Sequence, residues 1–473
     1  MPTLTFPLSR IEGHAQVVIE VQAGEVISAR FQAMEFRGFE YFVQGAPAEQ
    51  MPVITPRICG VCSTAHHVAA VKALEDAYGV TPPPLALSIR ELLLLGQIVQ
   101  NQATSLFIFT MPDRPGVASI FQVAPSTGSP PRVLAVAGQA PSILRLRSGQ
   151  AGSGQAPSTG SECDLGQDNA AIAMRALRVR KAGTDLISMA GGQFIHPVKA
   201  VVGGVTSGIG PEEAAAMRAE LTEVLPIACE LFDCYWEMSL AMGERIGTWG
   251  DDAPACYIAA VADCHPNYYG DIIRVMCPKG VARASFPARD FRAHLTYQET
   301  DYSYAGQTSY GGEVMRANSL ARANMARCMC TLRADEYLAR FREAFGQPAH
   351  ALMLFDLARG IELVYALERA MEILAEPLDH EDTAVPYTPR DGEGYGLVEA
   401  PRGPLIHHYR IENGLIAQAE FIIPTVHNSL AIERALRVAA ERYITAERVD
   451  MELERAVGRV VRAFDPCIAC ATH

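Results

Sequence analysis

The chain has 473 residues, 49% hydrophobic and 20% charged, with 53 acidic against 40 basic side chains and a formal net charge of −13. That composition can bury a large core and excludes a disordered chain. The acidic balance gives no broad attraction to nucleic acid or anionic lipid, no apolar run reaches membrane-spanning length, and Met1–Arg10 lacks the pattern of a secretory signal. A cytoplasmic location is therefore expected, with no nucleic-acid partner and no membrane span.

In chain order, residues 1–45 read as β. Ala15–Val21 and Val26–Phe31 flank the turn Ala23-Gly24-Glu25, as in a hairpin. Pro52–Pro56 is a loop into Arg57–Cys62. Val68, Val71, Leu74 and Tyr78 then recur at helical spacing over Thr64–Tyr78, ended by Gly79 and the stiff linker Thr81-Pro-Pro-Pro84. Leu87–Phe109 predicts a long buried helix, apolar around most of its circumference. The stretch 114–166 is rich in Gly, Ser, Pro, Ala and Gln, and it repeats Ala-Pro-Ser-Thr-Gly-Ser at 124–129 and 156–161. It cannot build a core and is expected to be a flexible insertion or loop within a single domain spanning 1–473. Helical periodicity returns at Asp168–Ala190, Pro211–Ile246, Ala317–Phe345, Ala349–Leu374 and Ser429–Phe464, the last with a turn near Tyr443–Thr445. Small β elements are expected at 256–300 and 395–425. The expected fold class is α+β, predominantly helical, with a long-helix bundle as core and small peripheral β elements.

Twelve cysteines are too sparse for a disulfide scaffold. Eight are scattered and are expected to be buried or free thiols. The other four form two matched pairs: Arg57-Ile-Cys59-Gly-Val-Cys62, followed by His66, and Asp465-Pro-Cys467-Ile-Ala-Cys470-Ala-Thr-His473. A two-residue gap lets both sulfurs of a pair bind one metal or small cluster, so zinc and iron–sulfur are both open. A zinc ribbon joins its pairs by about twenty residues, whereas these stand about four hundred apart. A centre held between opposite ends of a helical body suits catalysis better than a local staple. A thioredoxin-like pair lacks its βαβ context.

These pairs, together with Arg10-Ile-Glu-Gly-His14, Arg37-Gly-Phe-Glu40 and Ala400-Pro-Arg-Gly403 with the trailing His407-His408, resemble the large subunit of nickel–iron hydrogenases, in order along nearly the whole chain. The resemblance, not the spacing, implies nickel. It implies that Cys59 and Cys467 are terminal nickel ligands and that Cys62 and Cys470 bridge nickel to an iron carrying carbon monoxide and cyanide. Soft thiolates suit both metals. It further implies that Glu12 passes protons to and from a terminal cysteine sulfur, against the plainer reading of a surface glutamate. Arg402 matches the arginine over the open metal position, with a loop-holding salt bridge as the plainer role. Asp113 and Asp465 match carboxylates that fix this arginine, and Pro401 would line the cyanide-bearing side of iron. Glu40 and His473 match ligands of a magnesium ion that ties the C-terminus into the core. His66, one helical turn after Cys62, would hydrogen-bond near a bridging sulfur, while His67 would only pack. A chain ending at the histidine matching His473 has the form left once the family's C-terminal tail is removed. The insertion-like 114–166 departs from the family pattern.

Within the family, Glu35–Glu40, Gly392–Gly403 with His407-His408-Tyr409, and Cys467–His473 look most similar to the soluble enzymes that exchange electrons with NAD(P). No glycine-rich dinucleotide fingerprint is present, so NAD and flavin would bind other, diaphorase subunits. Cys328 and Cys330 are too close together to hold an iron–sulfur cluster, so electrons would leave through a small subunit carrying one. The expected activity is reversible oxidation of dihydrogen. The alternatives are a hydrogen-sensing relative, an enzyme using another electron acceptor, and the quinone-site subunit of respiratory complex I, which lacks the four cysteines.

Overall fold

The computed structural model describes residues 3–114, 169–243, 255–262, 265–379, 382–445, 449–450 and 452–473. Apart from Arg114, the insertion expected at 114–166 lies outside the described residues. The N-terminal β segment forms an antiparallel sheet of β1 (Thr3–Pro7), β2 (Ala15–Gln22) and β3 (Glu25–Ala33). Its alternation is clean: Ala15, Val17, Ile19 and Val21 face the core. Helix α1 (Ser63–Tyr78) starts at Cys62 and stops at Gly79, whose φ of 65° places it in the left-handed region that closes a helix. Helix α2 (Pro84–Ala103) begins on Pro84, where the missing N–H costs nothing. It runs on into a π-helical segment at Thr104–Thr110.

Helices α3 (Asn169–Gly191), α4 (Pro211–Leu240) and α7 (Leu354–Ile373, after α5 and α6 below) pack with α2 as the central bundle. The stretch Pro84–Asp113 is long and apolar enough to cross a membrane, but 89% of its apolar window is buried inside the protein, as in a core helix. Between α4 and α7 lies a four-stranded sheet of β4 (Cys256–Ala260), β5 (Ile272–Met276), β6 (Ala282–Pro287) and β7 (Met315–Arg316), in the order β7-β4-β5-β6. The expected helix over Ala317–Phe345 is two, α5 (Ser319–Met325) and α6 (Leu332–Phe345). The break begins at Ala326, whose ψ of 150° is extended, and runs to the extended Thr331, with Cys330 left-handed at a φ of 65° between them. Of the scattered cysteines, Cys229, Cys256, Cys277, Cys328 and Cys330 keep their thiols, as expected, but Cys234 is disulfide-bonded, against expectation.

The C-terminal third carries the antiparallel sheet β8 (Gly392–Ala400), β9 (Gly403–Glu412) and β10 (Leu415–Ile422), then α8 (Pro424–Tyr443) and α9 (Leu453–Phe464). Strand β8 lies directly on α1. A Cβ added at Gly394 would stand 2.0 Å from the Ala73 carbonyl oxygen, and one at Gly396 2.0 Å from that of Ala69. Only glycine lets strand and helix backbones approach so closely. That contact fixes α1, which Cys62 caps, against the strand that leads to Arg402. Gly396→Ala is therefore expected to push the two apart and to cost about 1–3 kcal/mol, read as a lowered thermal unfolding midpoint.

Candidate metal centre

Cys59 follows a short 3-10 turn (Thr55–Ile58) in extended conformation, and Cys62 caps α1. Cys467 caps the turn at Ile468–Ala471 beyond α9, and Cys470 lies within it. Their four buried sulfurs lie within 4.8 Å of one another, the one such group of His, Cys, Asp and Glu side chains found among the described residues. Cys59 Sγ is 3.2 Å and Cys62 Sγ 3.7 Å from Cys467 Sγ, with Cys470 Sγ at 2.9 Å. Thiolates about 2.3 Å from one soft metal sit roughly 3.3–3.8 Å apart, so the donor set fits such a centre. A small cavity opens beside Cys62, Cys467 and Cys470, walled by Ala400, Leu405, Ile423 and Pro424. A structural zinc site is closed on all sides, so the cavity favours a centre with room for further ligands.

The sulfurs differ in their surroundings. Hydrogen bonds with the neighbouring thiols, Cys467 first, hold Cys62 well below the usual thiol range, and the Arg402 charge adds to this. Burial drives Cys467 well above it. Cys59 Sγ accepts the Cys62 backbone N–H at 3.3 Å. Cys467 holds Glu12 in a parallel β-bridge, with the Ile468 N–H donated to the Glu12 carbonyl at 3.2 Å. The Glu12 carboxylate oxygen Oε2 stands 3.1 Å from Cys467 Sγ and accepts the Ala469 N–H at 3.1 Å. Burial pushes its carboxyl up to about 7. Glu12 is thus a half-buried neighbour of the sulfurs and not a surface glutamate.

Arg402 sits in the two-residue turn between β8 and β9, where Ala400 pairs with Gly403. It is 3% exposed. Its Nη1 donates to Cys62 Sγ at 3.2 Å, its Nη2 to Asp465 Oδ1 at 3.1 Å, and its Nε to the Asp465 carbonyl. Burial favours loss of its charge, but Asp465 and the cysteines hold it well above the ordinary range. Both expected roles of Arg402, a charge facing the sulfurs and a loop-holding ion pair, coexist in this geometry. Asp465 itself adopts a left-handed φ of 50°, which aspartate tolerates, and so ends α9 with its carboxylate turned inward.

Asp113 is a correction. It does not meet Arg402. Its carboxylate is taken by Arg10 Nη2 at 2.5 Å and by Arg462 Nε and Nη2 at 2.7 and 2.9 Å. Two guanidiniums saturate it, and it tethers the segment just before Glu12 to α9. The second partner of Asp465 is Asn101, whose Nδ2 donates to Oδ2 at 3.1 Å. Pro401 lies in the same turn as Arg402. Ala400 and Arg402 on either side of it border the cavity, while its carbonyl accepts Arg322 Nη2 at 2.7 Å.

His66 is buried, with Nε2 3.4 Å from Cys470 Sγ and Nδ1 2.9 Å from His407 Nε2. Burial lowers its pKa to about 4. His67 packs, its Nδ1 on the Pro52 carbonyl at 2.8 Å. Glu40 Oε1 meets His473 Nε2 at 3.2 Å and accepts the Phe421 N–H at 2.8 Å. His473 Nδ1 bonds the Cys470 carbonyl at 2.8 Å. Several supporting groups escape the sequence reading. Gln97 Nε2 donates to the carbonyl of Val61 inside the first cysteine loop, and Thr425 Oγ1 accepts the Cys467 N–H at 3.0 Å. One signal was available: Gln97, Gln100, Asn101 and Gln102 interrupt an otherwise apolar helix and are all buried.

Comparison with known proteins agrees with this geometry. The family model for nickel-dependent hydrogenase matches residues 37–128 and 266–473, and a HoxL-like model matches residues 6–36. The chain is 31% identical over 445 residues to a chain of the vhu F420-non-reducing hydrogenase of Methanococcus voltae, covering 92% of this chain and 97% of that one. It is 28% identical over 493 residues to the beta chain of the NAD-reducing hydrogenase HoxS of Cupriavidus necator, covering 99% and 93%. Among solved structures, a NAD+-reducing [NiFe]-hydrogenase in the H2-reduced state superposes with a TM-score of 0.84 at 26% identity, covering all of both chains.

The Arg402–Asp465–Asn101 chain makes graded expectations. Asn101→Ala leaves one buried carboxylate oxygen without a donor and is expected to cost about 1–3 kcal/mol. Asp465→Ala strands the buried guanidinium and is expected to cost about 3–5 kcal/mol. Thermal unfolding of the two variants gives the order, and the reverse order contradicts the assigned roles.

Proposed function

This chain belongs to the nickel-dependent hydrogenase family, as a large subunit, and from that premise we propose the finer assignment of its centre and electron route. The chain is the catalytic subunit for reversible oxidation of dihydrogen to protons and electrons. The observation that carries the site assignment is the meeting of four sulfurs from both ends of the chain with one half-buried carboxylate and one buried guanidinium. Cys59 and Cys467 would hold nickel from one side each, and Cys62 and Cys470 would be shared between nickel and iron. Carbon monoxide and cyanide would complete the iron in the cavity beside Ala400, Leu405, Ile423 and Pro424. When bound, such a centre supplies soft metals with an open position at which dihydrogen is split.

The chain's own residues do the rest. Glu12 lies within hydrogen-bonding reach of Cys467 Sγ and would take a proton from that sulfur and return it. Arg402 is held by Asp465 so that its charge faces the sulfurs without swinging away, a preorganised field in a dry site. Glu40 and His473 would share a magnesium ion, with water completing its shell. Electrons would pass to a small subunit with an iron–sulfur cluster. Diaphorase subunits carrying flavin would then hand them to NAD(P), a reading supported by the similarity to the two NAD-reducing enzymes. The 31% identity to F420-non-reducing hydrogenases favours a second reading, the same chemistry with another acceptor.

Four measurements test this. An infrared spectrum of the purified complex under argon and then hydrogen is expected to show sharp bands of metal-bound carbon monoxide and cyanide that move with the gas. Zinc and no bands would refute the centre. Cys470→Ser is expected to lose both metals together, and nickel and iron retained in normal ratio would rule out its shared role. Glu12→Gln is expected to abolish hydrogen–deuterium exchange while leaving the bands, whereas full exchange would place the proton route elsewhere. Hydrogen-dependent reduction of NAD+ against that of a viologen dye separates the two acceptor readings.

A further inference from the structure

A buried chain of hydrogen bonds leads away from Cys470, a sulfur that Glu12 does not bond. It passes from Cys470 Sγ to His66 Nε2 at 3.4 Å, from His66 Nδ1 to His407 Nε2 at 2.9 Å, and from His407 Nδ1 to the Tyr409 hydroxyl at 2.7 Å. His407 and Tyr409 stand two apart on β9, so the strand's period of two sends both toward α1, where His66 sits. All three side chains are at most 1% exposed, and the Thr55 hydroxyl is the second polar neighbour of the phenol. We propose that His407 and Tyr409 are positioning residues, which fix the tautomer of His66 so that its Nε2–H donates to the Cys470 sulfur.

The argument is one of proton counting. Two ring nitrogens that face each other at 2.9 Å can share only one proton, and each wholly buried imidazole offers one donor and one acceptor nitrogen. The chain then has only two consistent polarities. In one, the phenol donates to His407, His407 donates to His66, and His66 donates to sulfur. In the other every bond reverses, and His66 turns a lone pair toward the sulfur. A metal-bound thiolate has no proton to give, so the second polarity sets two lone pairs against each other. A phenol can both donate and accept, so Tyr409 closes the chain in the required direction. Remove it, and His407 Nδ1 has lost its hydroxyl partner. Remove the His407 donor, and His66 Nδ1 loses the bond that holds its proton on the far nitrogen.

The inference rests on the reading of Cys470 as a metal-bound thiolate. A sulfur that loses a hydrogen-bond donor gives more electron density to its metals, which weakens carbon monoxide bound to the iron. The test is the infrared band position and the nickel and iron content of the whole complex in His407→Leu, His407→Gln and Tyr409→Phe. His407→Leu is expected to move the carbon monoxide band to lower wavenumber with both metals retained. His407→Gln, whose amide can still donate to His66, is expected to restore it toward the original position. Tyr409→Phe is expected to move it in the same direction by less. Identical bands in His407→Leu and the unaltered complex overturn the proposal. Should His407→Leu lose its metals, an unmoved band in metal-replete Tyr409→Phe overturns it instead. If the unaltered complex shows no such bands, the nickel–iron reading falls and takes this inference with it.

Discussion

Four thiol sulfurs carried by opposite ends of the chain must lie within 4.8 Å of one another, and the rest of the structure serves that distance. Thiols have no mutual attraction strong enough to close a loop of about four hundred residues, whose entropy cost must be met by ordinary burial and hydrogen bonding. The closure is redundant. Glu12 zips to Cys467 through a backbone bridge, Arg37 N–H reaches the Thr472 carbonyl at 2.8 Å, and Glu40 meets His473. From within, Gln97 holds the first cysteine loop and Thr425 the second.

Buried charge is the second constraint. Arg322 is wholly buried against Glu362 and Glu399, and it also donates to the carbonyls of Ala400 at 3.2 Å and Pro401 at 2.7 Å. Burying such a triad has a large desolvation cost, and a hydrophobic replacement would often be no less stable. Its return here is geometric: the two carbonyls it holds immediately precede Arg402. A turn pinned by one guanidinium thus presents another to the sulfurs, at a precision that a solvated loop could not keep.

The sequence carried most of the local structure. Periodicity marked the long helices and the hairpin, glycine and proline marked their ends, and the two cysteine pairs were unmistakable. It could not separate α5 from α6, because apolar spacing continues across the extended backbone at Ala326 and Thr331 that divides them. It assigned Asp113 to the wrong arginine for a related reason. Motif position gives chain order, while Arg10, Arg402 and Arg462 compete for two carboxylates by spatial arrangement alone. Asn101 went unread because a single polar residue inside an apolar helix is ambiguous until its partner is known. The fourfold cluster of buried amides in α2 was the stronger sign, since amides are buried only where something answers them.

The partners of the four sulfurs divide into two kinds, and the division has chemical content. Cys62 faces a guanidinium, Cys470 an imidazole and Cys59 a backbone N–H, all nitrogen groups able to donate. Donors draw electron density from a thiolate and make it a poorer base. Cys467 alone of the four faces a carboxyl oxygen, which can accept its proton as well as share one. An oxygen of that kind leaves the sulfur's basicity high whenever it is ionised. The surroundings therefore set Cys467 apart as the sulfur with a carboxyl oxygen beside it, 3.1 Å away. Such an asymmetry cannot come from the ligands, which are chemically identical. It is imposed by Glu12, His66 and Arg402, three residues from three separate segments that approach the cluster from different sides.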